Sequence, residues 1–304
     1  MKRITVILFV YWMTTSSLIA QQDPLYNLYQ FNQLMVNPAY AGLNNILSLS
    51  MHTRVQWLGV EGAPVTNAVS GNTSFHKNRH GVGGWLAHDQ FGINRNTEFY
   101  GSYAYHLQVS PKWKISAGFQ LGLTNFRQDY SKLVLEFDAD PLIANQQENF
   151  TKSNVGTGFI LSTDEVFLGL SVPRMLDVRT EQGSVISTRY KRHYYISGGA
   201  VLMLSSFVKM KVSTLARFVD NQPFSADFSA TAILGETVWL GAFARNFSTV
   251  GVNAQLDITE TVRAGYAFEY PTSSLSANNF GSHELMIAID LKPLTFQYYK
   301  RRYF

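Results

Sequence analysis

The chain has 304 residues, of which 46% are hydrophobic, 14% aromatic and only 15% charged, and it contains no cysteine. So little charge beside so many rings excludes an intrinsically disordered chain and fits poorly with a water-soluble globule, in which about 25% of residues are charged. The lack of cysteine removes disulfides, thiolate metal sites, cysteine nucleophiles and a lipid-modified cysteine. The formal net charge of +4, which falls by two without Lys2 and Arg3, gives no electrostatic support for a nucleic-acid partner.

Met1-Lys2-Arg3 is a basic start, Ile4 to Trp12 is apolar, and Ala20 is a small residue before Gln21. That is the layout of a secretory signal peptide over residues 1–20, and its apolar run is too short to span a bilayer. Residues 21–45 show no strand alternation and are expected to form a periplasmic or lumenal segment. Within them, Pro38 fixes its own backbone and holds Asn37 extended, while Gly42 permits a sharp turn. The stretch Asn37-Pro38-Ala39-Tyr40-Ala41-Gly42 therefore reads as a lumen plug, a periplasmic docking surface, or a rigid lead-in to the first strand.

From residue 46 to 292 the hydropathy alternates. Leu47, Leu49, Met51, Val55 and Trp57 oppose Ser48, Ser50, His52, Arg54 and Gln56. Trp113, Ile115, Phe119 and Leu121 oppose Lys114, Ser116, Gly118 and Gln120, and Leu285, Ile287 and Ile289 oppose Glu284, Met286 and Ala288. Side chains alternate across a strand, so each segment has one greasy and one wet face. The wet face is mostly small polar residues, which suits a crowded lumen. No run of ~18 apolar residues follows residue 20, so no helical span is expected.

Strands are predicted over 46–57, 65–77, 81–91, 95–108, 113–126, 154–162, 166–172, 190–204, 207–219, 224–234, 237–246, 248–257, 260–270 and 282–291. That makes about 14, an even number, as single-chain outer-membrane barrels require. Every even connection is short, and the long ones (58–64, 127–153, 173–189 and 271–281) are all odd. A barrel with short periplasmic turns and longer outer loops sorts its connections in this way; a soluble β adhesin has no reason to. The predicted fold is an all-β transmembrane antiparallel barrel with an N-terminal non-barrel segment and a tail over 293–304. Trp57, Trp113, Trp239, Tyr105 and Tyr270 lie near strand ends and suggest an interfacial girdle. Gly81, Gly83 and Gly84 suggest curvature or close approach in the wall. The terminal Phe304 is a weak outer-membrane insertion signal.

The loop 127–153 carries Leu133, Leu135, Phe137, Leu142, Ile143 and Phe150, and the loop 173–189 carries Met175 and Leu176. Apolar groups on outer loops point to a protein partner or a fold-back into the barrel mouth. Glu136, Asp138 and Asp140 lack the glycine and ligand spread of a calcium loop and read as solvated acid. His52, His76 and His106, with Arg54, Lys114, Arg263 and Glu269, fall on the wet face and read as lumen polarity. His88 and Asp89 are adjacent, so they face opposite ways and make no catalytic pair. No catalytic residue, cofactor or metal is expected.

Several segments resemble the PorP/SprF family of type IX secretion outer-membrane proteins. They are Gln22-Asp23-Pro24, Tyr29 with Phe31-Asn32, and Asn37 to Gly42. Arg54-Val55-Gln56-Trp57 with Gly59 to Pro64 follows, then Gly169-Leu170-Ser171-Val172-Pro173, Arg192-His193-Tyr194, Gly265 to Tyr270, Gly281-Ser282-His283-Glu284 and Arg302-Tyr303-Phe304. Phe268-Glu269 departs from the family's usual Tyr-Asp. The resemblance implies a non-enzymatic barrel integral to the bacterial outer membrane. It implies partners in bilayer lipid, in a secreted adhesin bound through its C-terminal β domain, and in other components of the secretion and gliding machinery. Asp23, Pro24, Asn37, Pro38, Tyr40 and Gly42 mark its N-terminal segment. The alternative is a passive porin or a channel for small hydrophobic ligands.

Overall fold

The computed structural model describes Tyr29 and residues 32–130, 147–182, 185–246, 248–272, 279–291 and 303–304. The expected signal segment, Asp23, Pro24, Leu133, Leu135, Phe137, Leu142 and Ile143 lie outside the described residues. The first seven strands are β1 (Leu47–Val55), β2 (Val65–Phe75), β3 (His80–Phe91), β4 (Asn94–Gln108), β5 (Lys114–Asp129), β6 (Gln147–Ser162) and β7 (Val166–Val172). After β8 (Val178–Gln182) and β9 (Val185–Tyr190) come β10 (His193–Met203), β11 (Val208–Val219), β12 (Ser225–Leu234), β13 (Val238–Arg245), β14 (Thr249–Asp257), β15 (Val262–Pro271) and β16 (Ser282–Leu291). Fourteen of them close into one antiparallel barrel in sequence order, with β1 against β16, while β8 and β9 form a separate hairpin between β7 and β10.

The alternation has a direct cause. Leu49, Phe119 and Ile287 are 42%, 53% and 58% exposed, whereas His52, Gln120 and Ala288, of opposite parity on the same strands, are buried. The apolar side chains therefore line the outside of a closed sheet, where hydrocarbon is the only medium that favours them. Met51 lies opposite Val69 on one side and Ile287 on the other, so the apolar rows continue from strand to strand. No helix among the described residues is long and apolar enough to cross a membrane.

The connections sort as expected. Six short turns make one end of the barrel (the turn end), and longer segments make the other (the loop end). The β12–β13 turn needs only Gly235, Glu236 and Thr237, the first two at positive φ (57° and 62°). That pairing matches the twist of a tight hairpin.

Four details differ from the sequence reading. β5 and β6 extend to Asp129 and from Gln147, so the expected 127–153 loop is shorter and Phe150 lies on a strand, its ring stacked on Phe126 at 5.1 Å. The 173–189 loop contains the β8–β9 hairpin. His76 is not on the lumen wall: it sits in the β2–β3 turn at φ 52° and is exposed, because β2 stops one residue short of it. Trp239 is not in a girdle: it is 3% exposed and shares the inward parity of Phe243 and Arg245. Trp57 and Trp113 do sit exposed at opposite rims.

Outward position predicts cost. Phe119→Arg is expected to destabilise the barrel by about 2–4 kcal/mol, as cations do near the bilayer midplane. Denaturant unfolding in lipid vesicles measures this.

Candidate functional site

The lumen is filled by the chain itself. Before β1, residues 32–43 form two short 3₁₀ turns, Gln33–Met35 and Pro38–Tyr40. Asn32, Leu34, Asn37, Ala39, Tyr40, Ala41 and Leu43 are all buried. Asn37 organises the second turn: its Oδ1 accepts the Ala39 N–H at 3.0 Å, and its Nδ2 donates to the wall carbonyls of Phe159 and Leu170 at 3.2 and 3.4 Å. Asn32 donates to Ser50 and Ser70 at 3.0 and 2.8 Å. Gly42 N donates to Asn72 Oδ1, Ser171 Oγ donates to Val36 O, and His106 Nε2 lies 3.0 Å from Ala41 O. Tyr29 packs on Tyr195 and Leu215, in the loop-end half of β10 and β11. Of the three sequence readings of Asn37 to Gly42, the geometry is that of the plug.

Inward glycines make room for it. A methyl group at Gly81 would overlap Ala41 O, one at Gly118 would overlap Ala39 N, and one at Gly158 would overlap Asn37 Oδ1. On β3, Gly81 is thus a site of close backbone approach by the plug, as its sequence context suggested, whereas Gly84 meets only Tyr100 O of the next strand.

A charged layer lies between the plug and the loop end. Arg54 bonds Glu269 at 3.1 Å and Glu284 at 3.4 Å. Arg245 bonds Glu269 and Asp227, each at 3.1 Å, and His52 Nδ1 lies 3.7 Å from Glu284. The chain of ions runs across β1, β16, β15, β13 and β12. Buried ions must be paired, because each one stripped of water costs several kcal/mol. Of the wet-face charges read from the sequence, Arg54 and Glu269 meet here, Arg263 pairs with Asp290 at 2.9 Å, and Lys114 is buried on the inner wall. His52 and His106 face inward but hold separate partners, and no metal-type cluster exists among the described residues. His88 is exposed, while Asp89 is buried against Thr66 at 2.5 Å.

The end of the chain completes the filling. Phe304 packs inside the wall on Phe167 and Val201, and its ring lies 4.6 Å from that of Phe167. Asn44 donates to its carbonyl at 3.1 Å, and Lys211 donates to Tyr303 O at 2.8 Å. A cavity among Tyr40, Leu43, Ile160, Phe167 and Phe304 holds about 10 Å³, about the room that a single water needs. A much larger apolar depression of about 1010 Å³ lies over β10–β15, floored by outward residues such as Gly198, Ala200, Ala230 and Ala242. It faces the lipid side, outside the lumen.

At the loop end, the segment after β7 dips into the mouth. Gln120 donates to Pro173 O at 2.7 Å, Asn154 bonds both N and O of Leu176, and Arg174 pairs with Glu98 at 2.6 Å. This anchors the backbone under Met175 and Leu176 and leaves their side chains exposed. Leu58, Val60 and Phe280 are also exposed at this end, and their loops are tied by Leu58 N to Gly281 O and Phe280 N to Leu58 O. The sequence reading missed these three, because no alternation marks a rim. Phe150 is half-buried on β6, away from Met175 and Leu176.

Residues 18–289 match the family described as type IX secretion system membrane protein PorP/SprF. The chain belongs to that family. Several of the PorP/SprF segments noted in the sequence meet in one interior. Asn37 of the plug meets the wall segment Gly169 to Pro173, and Arg54, Glu269 and Glu284 come from three separate segments to make the charged layer. No curated protein matches the chain. Among solved structures, the Ralstonia pickettii toluene transporter TbuX aligns at a TM-score of 0.52 and 9% identity, over 85% of this chain and 92% of its own. The monoaromatic hydrocarbon channel CymD aligns at 0.52 and 12%, over 85% and 91%, and the Pseudomonas putida toluene transporter TodX at 0.50 and 9%, over 90% and 95%. At these identities the likeness is one of fold: an outer-membrane barrel.

Two substitutions probe the interior. Gly158→Val is expected to push residues 32–43 out of the lumen while the barrel stays inserted, and limited proteolysis from either side of the membrane reports the released segment. Glu284→Ala removes one of the two carboxylates on buried Arg54 and is expected to cost about 3 kcal/mol, read from the same unfolding assay in vesicles.

Proposed function

We propose that this PorP/SprF protein retains an exported surface protein of the type IX route at the loop end of its barrel, by non-covalent contact. The observation that carries the reading is the filled lumen. A channel needs a continuous polar or apolar path, and here the path is occupied by residues 32–43, by Phe304 and by the ion pairs that join Arg54, Arg245, Asp227, Glu269 and Glu284. With the interior filled, the surfaces left for binding are the rims and the outer wall. The loop rim offers Leu58, Val60, Met175, Leu176 and Phe280 on anchored backbone, and exposed apolar groups held this way suit a protein partner. The partner proposed is an adhesin held through its C-terminal β domain, with bilayer lipid around the barrel and other machine components at the turn end. No step of this requires catalysis, a metal or a cofactor. The loop end would face the cell exterior, since the short turns mark the periplasmic side of such barrels.

The rival reading is a passive porin or a channel for small hydrophobic molecules, the role named for TbuX and CymD. Planar-bilayer conductance separates the two. The intact protein is expected to give no steady current, and a variant lacking residues 29–43 is expected to leak. A large open conductance from the intact chain would favour the rival. In native membranes, deleting 131–146, or replacing Met175 and Leu176 with Ser, is expected to weaken retention of the surface protein and leave insertion unchanged. Co-purification after detergent extraction measures it.

A further inference from the structure

The barrel wall is uneven in height, and the unevenness leaves an open strand edge. β5 and β6 pair over sixteen positions, from Lys114↔Ser162 to Asp129↔Gln147. On its other side β6 pairs with β7 only from Thr157 to Ser162, because β7 ends at Val172. Pro173 follows, and it has no N–H with which to continue a ladder. Its carbonyl turns inward to Gln120 instead. Residues 147–156 of β6 therefore stand above the end of β7 for roughly 33 Å at about 3.3 Å per residue.

The direction of the free groups can be read from one bond. Val155 accepts the Met175 N–H through its carbonyl at 2.8 Å, so its main-chain groups face the β7 side. Main-chain groups alternate along a strand, so Asn149, Thr151 and Ser153 point their N–H and C=O the same way. Phe150, of opposite parity, turns its carbonyl toward Asn125 on β5. After Leu176 the chain leaves β6, and among the described residues no strand pairs with the 147–153 edge. Asn149, Thr151 and Ser153 are exposed.

We infer that the outer edge of β6, at Asn149, Thr151 and Ser153, takes up an extended strand of the retained protein by β-sheet addition; this rests on the function proposed above and specifies its contact. A row of alternate main-chain donors and acceptors is complementary to one object, another extended strand. A second copy of this chain does not fit. Pairing two identical edges requires antiparallel strands related by a two-fold axis perpendicular to the sheet, and that axis would set the two barrels in opposite senses across one bilayer. The occupant is therefore a different chain. The small polar side chains of Asn149, Thr151 and Ser153, with the exposed charge of Lys152, keep the open edge soluble until it is paired.

Proline supplies a selective test. Thr151→Pro or Ser153→Pro removes an N–H from the open side only, and leaves every β5–β6 bond in place. The probe is the purified C-terminal domain of a surface protein exported by the same cells through the type IX route, added to the full-length barrel in vesicles. The expected result is that both variants insert normally and bind the domain at least about tenfold more weakly, as loss of one or two main-chain hydrogen bonds implies. Amide exchange at Asn149, Thr151 and Ser153 is expected to be fast in the free protein and slow in the complex. Unchanged binding by both variants would overturn the edge assignment and leave the proposed function standing. Slow exchange in the free protein would also overturn it, by showing the edge already covered by the chain itself. If the domain fails to bind even the unmodified barrel, the proposed function falls and the edge assignment with it.

Discussion

Closing fourteen amphipathic strands turns every polar face toward one narrow space, and the burial of those faces is the constraint from which the rest of the molecule follows. The lipid takes the greasy sides without further help. The inner sides carry arginines, glutamates, histidines and amides that need partners, since an unsatisfied buried group costs about 1–3 kcal/mol. The chain meets the need in two ways. In the charged layer, wall residues satisfy one another across Arg54, Glu269, Glu284, Arg245 and Asp227. Lower down, inward glycines leave room, and the main chain of residues 32–43 partners the wall residues Asn72, His106 and Ser171. The plug and the wall are therefore a single packing solution: a larger residue at Gly118 or Gly158 would leave no room for Asn37 to Ala39.

The sequence made the strands legible because the bilayer imposes alternation on each of them. Where the bilayer's influence ends, so did legibility. The upper parts of β5 and β6 and the whole β8–β9 hairpin carry no period-two signal, and they read as loop. Trp239 misled because tryptophan at a strand end suggests an interface, although its parity with Phe243 and Arg245 places it inside. His76 lies within the stretch 65–77 expected as a strand, but the chain has already turned there. The charges were recognised as lumenal, but their pairing was not, because Arg54 and Glu269 sit two strands apart and strand register is invisible in one sequence. The plug was one of three readings of Asn37 to Gly42. What decided among them was the set of inward glycines on other strands, which only the closed barrel brings opposite it.

A filled barrel is also a stiff one. Interior contacts run from β1 to β7 and on to β10–β13, so a load applied at the rim is spread over the wall. Of the segments of similar sequence, Asn37 to Gly42 and the residues Arg54, Glu269 and Glu284 belong to this interior.

The place where the first strand meets the last is the natural weak line of any barrel, the line along which a sheet cut from one chain would unzip sideways. Here that line is riveted from within. Arg54 and Glu284 face each other across it, Ser48 hydrogen-bonds Asp290 near its foot, and Asn44, just ahead of the first strand, holds the final carbonyl of the chain. With Asn44 and Phe304 tied to each other inside the wall, lateral parting between the first and last strands is an unfavourable way to admit an incoming segment. The shortened wall beside β7 becomes the side on which the closed sheet can grow.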